Sequence, residues 1–321
     1  MMEPSFYRKE AAFFMISFLL LRKIAQMFLG LVLGFILVRC GKAKAPDSKP
    51  LSVVILFIIN PCVIINAYQV SFSNEMVQSL LLSFGAAIGI HILFFVLTGV
   101  LKKPLRLNAV EQASCIYSNC VNLLIPIVTS ILGKEYIIFT SMYIMVQVFC
   151  LWSHCRMLLS GERTISFRNI FGNLNVISTL FGLALFLLRI QLPNLLTEAM
   201  DSLAVTQGPL NMVVIGMLLA GADLKKITRI PGVWKVTALR LIVFPLVTLV
   251  ILKYSGLASL APEGEKLLLL SLLAACAPTG TMVTSIAQVY GGDAEYASAI
   301  NMISTVLCII SMPLIIALYQ L

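Results

Sequence analysis

Charge is what this 321-residue sequence has least of: Asp, Glu, Lys and Arg together make up 12% of it, about half the share of an ordinary soluble domain. A surface so poor in charge excludes a soluble globular enzyme. Histidine is nearly absent, with two residues that form neither HxxxH nor HExxH, which speaks against a histidine-built metal centre. No phosphate loop, dinucleotide fingerprint or paired nucleophile and base appears, so no enzyme activity or cofactor is expected. The eight cysteines never form a CxxC pair and lie mostly inside apolar runs, where they read as small helix-packing residues and not as metal ligands or disulfides.

What is there is apolar: hydrophobic residues make up 60% and the mean hydropathy is +0.98, as in an all-α polytopic membrane protein. The net charge of +9 is no nucleic-acid footprint, because Lys and Arg sit in short connections between apolar runs. Arg8 and Lys9 before an apolar run imitate a signal peptide. No small-residue cleavage site follows, and the run continues past Arg22 and Lys23, so it is expected to stay as part of the first helix.

Runs of roughly 20 apolar residues predict ten spans, at about 16–38, 51–70, 77–101, 109–132, 136–158, 173–190, 202–222, 233–253, 266–288 and 295–319. The longest polar connection, about 159–172, divides them into two fives: residues 1–160, a connection at 161–172, and residues 173–321. Alternate connections carry thirteen basic residues on one side and six on the other. The richer side is expected to be cytoplasmic, with both termini external.

Five spans is an odd number, so the second half is expected to enter the membrane inverted. Traces of a repeat support this. Val128–Ile131 and Val283–Ile286 are the same string, VTSI, each followed by glycine, and Asn60–Pro61 in span two is matched by Gly208–Pro209 in span seven.

The stretch 271–292, SLLAACAPTGTMVTSIAQVYGG, is apolar enough for a bilayer but is interrupted by Pro278 and Gly280 and carries Thr279 and Thr281. Proline and glycine predict a helix broken near mid-membrane, which lipid tolerates only where the break is packed in protein or lines a cavity. Span four, SNCVNLLIPIVTSILGKE, sets Asn119 and Asn122 on one face, and Pro126 frees the carbonyl of Asn122. Together with Asn60, Pro61 and Asn66 of span two, these residues form the candidate substrate site, with asparagine offering both donor and acceptor. The alternative for each is a kink with interhelical contacts.

Ionisable groups inside spans are few and are functional candidates by default. His91, near the centre of span three, is the first candidate for a coupled proton. Glu111 and Asp223, near span ends, and Arg240, in span eight, read first as snorkelling groups or structural ion pairs, with Glu111 and Asp223 kept as coupling candidates. His154 reads as interfacial.

Four segments, SNCVNLLIPIV, GPLNMVVIGMLLAGADL, APTGTMVTSIAQVYGGD and ASAINMISTVLCIISMPLI, resemble the auxin efflux carrier family, which includes plant PIN-type auxin exporters and bacterial malate-permease-like proteins. The family usually has glycine near Val121 and just before Ile125, where this chain has Val121 and Leu124, so a cavity of different shape is expected. The resemblance implies ten helices in two inverted five-helix repeats, with spans four and nine unwound and crossing. It also implies a transport domain (spans three to five and eight to ten) moving on a scaffold (spans one, two, six and seven). The expected function is secondary transport of a small organic anion across the plasma membrane, with proton or sodium coupling and a homodimer both open. A sodium-coupled symporter of the bile-acid type and a sensory membrane protein without transport are the alternatives.

Overall fold

A chain with this much apolar sequence folds as helices because a helix satisfies its own peptide groups without water. The computed structural model describes residues 22, 25–26, 28–69, 77–120, 123–124, 127–128, 132–133, 136–161, 174–221 and 229–320. Their helices are α1 (Phe28–Arg39), α2 (Ala45–Asn66), α3 (Val77–Lys102), α4 (Ala109–Ile116), α5 (Ile138–Ser160), α6 (Leu174–Leu187), α7 (Asn194–Gly221), α8 (Pro231–Tyr254), α9 (Gly264–Cys276), α10 (Thr281–Tyr290) and α11 (Ala294–Gln320). Among the described residues the only β-structure is one isolated bridge.

Six of these helices, α2, α3, α5, α7, α8 and α11, are long and apolar enough to cross a membrane. The other four predicted spans differ in instructive ways. Only the second part of the first lies among the described residues, and of the sixth only the part from Leu174 onward, α6, does. Spans four and nine are each interrupted, and the separated pieces α4, α9 and α10 are too short to cross alone. Large apolar side chains such as Leu33, Leu81, Val100 and Ile310 stand exposed on outer helix faces, as lipid-facing residues do.

Three π turns lie within the long helices, one at Leu151–Cys155 in α5 and the other two just before prolines. In α2 the wide turn Ile55–Ile59 ends with the Asn60 amide bonded to the Ile55 carbonyl, just before Pro61. In α8 the turn Leu239–Val243 ends with the Phe244 amide on the Leu239 carbonyl, just before Pro245. A widened turn relieves the clash between a proline ring and the preceding turn, and the one in α8 aims Arg240 inward.

The helices pack as two groups. One joins α2, α6 and α7, with α1 against α7; the other joins α3, α4, α5, α8, α9, α10 and α11. They meet where α10 lies on α2 and α7, where α11 lies on α7 and where α5 lies on α6. Within the first group α1 and α7 approach through glycines. A Cβ on Gly216 would stand 1.9 Å from the Leu31 carbonyl oxygen, and one on Gly34 would stand 2.2 Å from that of Val213. Gly216→Ala is therefore expected to destabilise the protein by about 1–3 kcal/mol, the usual cost of overpacking, read as a lower Tm in detergent. Gly85→Ala, where nothing lies within 4 Å of an added Cβ, is expected to be neutral or slightly stabilising. Equal behaviour of the two variants would overturn this account of the α1–α7 contact.

Candidate functional site

Helix α4 is started firmly. Asn108 and Glu111 form a reciprocal capping box, each side chain bonding the other's amide at 2.9 Å. It nevertheless stops after Ile116, and Tyr117 is extended at φ −95°, ψ 125°. Helix α9 stops after Cys276, with Ala277 at φ −63°, ψ 147° and Gly280 at φ −68°, ψ 132° before α10 begins. The two extended pieces lie antiparallel. The Asn119 amide donates to the Pro278 carbonyl at 2.8 Å, the Gly280 amide donates to the Tyr117 carbonyl at 2.9 Å, and Ser118 stands opposite Thr279. Each break thus supplies the other with the partners that lipid would withhold. Position 280 needs glycine for space: a Cβ there would touch the Ser118 carbonyl oxygen at 3.0 Å.

Side chains from neighbouring helices satisfy the remaining peptide groups. Gln147 of α5 clamps Ser118, its Oε1 accepting from the Ser118 amide (3.2 Å) and hydroxyl (2.8 Å) while Nε2 donates to the Ser118 carbonyl (2.7 Å). On the other break, Asn301 Nδ2 donates to the Thr279 carbonyl at 2.5 Å, and the Thr279 amide donates to Ser304 Oγ at 3.3 Å. Thr279 Oγ1 donates to the Ser114 carbonyl at 3.2 Å. Arg240, fully buried, donates from Nε to the Ala277 carbonyl (3.0 Å) and from Nη1 to the Cys115 carbonyl (3.2 Å).

Beside the bridge is a cavity of about 20 Å³, lined by Asn60, Ser118, Asn119, Gln147, Gly280 and Thr281, with Gln207 and apolar neighbours closing it. Asn60 Oδ1 accepts from Gln207 Nε2 at 2.8 Å, and Thr281 Oγ1 has no partner among the described residues. The cavity lies between the two helix groups, and room for about one water is all it offers.

The structure brings together Asn60, Asn119, Gly280 and Thr281 from the sequence-derived site, with Pro278 and Thr279 behind them in the bridge. Pro61 is buried in α2 next to Asn60. Asn66 does not join them: its amide bonds the exposed carboxylate of Asp201. Asn122, Pro126 and Asp223 lie outside the described residues. The break in span four falls at Tyr117–Asn119, ahead of Pro126, because pairing with the other break and the Gln147 clamp hold it open.

Of the coupling candidates, His91 is buried, donates from Nδ1 to the Ala87 carbonyl at 2.8 Å and packs its ring 4.9 Å from that of Tyr143, away from the cavity lining. Glu111 accepts from Lys235 at 3.0 Å and Tyr296 Oη at 2.9 Å besides the Asn108 amide, so both its oxygens are engaged. His154 meets Tyr117 Oη at 2.9 Å and is half-buried, not interfacial alone. The reading of Arg240 as a snorkelling or ion-paired group is corrected: it points inward from the π turn of α8, and among the described residues no carboxylate pairs with it. Gln147, Gln207 and Asn301 were not singled out in the sequence, although each is an amide deep in an apolar span, a signal of the same kind as Asn119.

A family profile described as membrane transport protein matches residues 19–171 and 163–316. The chain belongs to this membrane transport family, that of the auxin efflux carriers. No curated protein matches it. Membership explains why a multi-pass chain carries unwound, polar backbone at its centre, since in transporters such backbone lines a binding site.

The Gln147 clamp is directly testable. Gln147→Leu leaves the Ser118 amide and carbonyl unpaired, at about 1–3 kcal/mol for each buried group, and a marked fall in Tm is expected. A Tm within a degree of the parent protein would mean that the break satisfies itself.

Proposed function

We propose that this membrane transport protein is a secondary active carrier of a small organic anion, bound where the breaks of spans four and nine meet and moved by alternating access. The observation that carries this reading is the antiparallel bridge between Tyr117–Asn119 and Ala277–Gly280, set against a polar cavity on the seam between two helix groups. Downstream of the second break the half-helix α10 begins at Thr281. Its first amides and the positive end of its dipole favour a carboxylate, and Asn119, Asn60 and the Thr281 hydroxyl add donors at the same place.

In this reading the chain has ten spans in two inverted fives, with the thirteen-base side cytoplasmic and both termini outside in the plasma membrane. The group containing the bridge moves against α1, α2, α6 and α7. A cavity of about 20 Å³ is far below the roughly 300 Å³ of a ligand pocket, so the two groups must part to admit substrate. The contacts to be released are those of α10 with α2 and α7. Ser285 Oγ donates to Asn211 Oδ1 at 3.0 Å, Ser52 Oγ donates to Gln288 Oε1 at 2.5 Å, and Gln288 Nε2 donates to Ser48 Oγ at 2.6 Å.

The test is uptake of a panel of radiolabelled mono- and dicarboxylates into proteoliposomes. Asn119→Ala is expected to weaken binding of the transported acid by roughly 1.5–3 kcal/mol, or about ten- to a hundredfold. Pro278 stands in the extended break and not inside a helix, so Pro278→Ala is expected to change stability by no more than about 1 kcal/mol while transport falls, because the break is no longer barred from helical bonding. Full transport by both variants would place the substrate path elsewhere.

A further inference from the structure

Among the described residues Arg240 has no carboxylate partner. A guanidinium stays protonated in proteins, and one held inside a membrane span is tolerated only where specific partners receive it. Its side chain is 0% exposed, its face lies 5.2 Å from the Phe94 ring centre, and among the described residues the ion pairs are Lys235–Glu111 and Lys266–Glu263, neither involving Arg240. What it meets is the carbonyl of Cys115 in the last turn of α4 and the carbonyl of Ala277, the residue capping α9. Each helix end carries about half a negative charge, so two ends converging on one point present about one unit, opposite to one guanidinium.

Freed carbonyls and half-helix C-termini at a mid-membrane break are where transporters hold a coupling Na⁺. We propose that Arg240 is a built-in cation that takes that place: it bonds both C-terminal ends permanently, so the junction binds no Na⁺, and the N-terminal end of α10, on the far side of its break, is left as an uncompensated positive pole for the anion. Arg240 is thus a positioning residue for the two breaks. Its planar fork suits the role, since one group reaches two carbonyls on different chain segments, which an ammonium does less well. The proposal rests on the two breaks forming the transport site, but its test needs no transported acid.

The experiment uses the full-length protein purified in detergent, with ²²Na⁺ binding and Tm in NaCl against choline chloride at equal ionic strength. The parent protein is expected to bind no Na⁺ saturably and to show the same Tm in both salts. Arg240→Ala is expected to lower Tm by about 5–10 °C. Millimolar guanidinium or N-methylguanidinium should then raise it again in a saturable way, with no such effect on the parent. Arg240→Leu, which fills the space with hydrocarbon, should show no rescue. Arg240→Lys should lie between parent and alanine variant, again without Na⁺ binding, and serves if the alanine variant does not fold. Saturable ²²Na⁺ binding by the parent, an alanine variant as stable as the parent, or the same guanidinium response in both would overturn the proposal. A protein that binds no Na⁺ yet transports none of the acids would count against the site reading and leave this one standing.

Discussion

Two backbone hydrogen bonds, Asn119 to Pro278 and Gly280 to Tyr117, are the constraint on which the rest of this molecule depends. A membrane helix can be opened only if its peptide groups find partners that are not water. Here two extended segments give their groups to one another. Everything around them completes that exchange: Gln147 for Ser118, Asn301 and Ser304 for Thr279, Arg240 for the carbonyls that end α4 and α9.

The clamps are distributed in a regular way. Span five holds the break in span four through Gln147, and α11, the last span, holds the break in span nine through Asn301 and Ser304. Arg240 bonds the ends of both α4 and α9. These bonds tie α4, α5, α8, α9 and α11 to the bridge, while α10 meets α2 and α7 through hydrogen bonds with Ser48, Ser52 and Asn211 and through Met282 packed against Ile55, Ile59, Val214 and Leu218.

Much of this was legible in the residues. Pro278 and Gly280 in an apolar run announce a break, and the charge-poor composition announces a bilayer. Asn60 and Asn119 are two of the four side-chain amides that line the cavity, beside Gln147 and Gln207. Three features were not legible. The break in span four has no proline inside it; Tyr117, Ser118 and Asn119 are extended because a segment about 160 positions away pairs with them, and no local pattern reports that. Arg240 looked like a snorkelling group because span position alone does not say which face a π turn presents. Asn66 shares an asparagine signal with Asn60, but six residues along α2 it has reached Asp201 at the helix end, beyond the cavity. Local chemistry marks where a span is polar, and tertiary pairing decides which polar groups meet.

The most direct test of the central claim is a disulfide between the breaks. In a bridge of this pattern Ser118 and Thr279 are the non-hydrogen-bonded pair, with Cα atoms about 4.5 Å apart, inside the range a disulfide spans. In a background free of native cysteines, Ser118→Cys with Thr279→Cys is treated with a membrane-permeable oxidant and the linked peptides are read by mass spectrometry. The account predicts a cross-link in high yield, and none when the second cysteine replaces Ser285 instead of Thr279. Failure of the 118–279 pair to cross-link in the folded protein would mean that the two breaks do not meet.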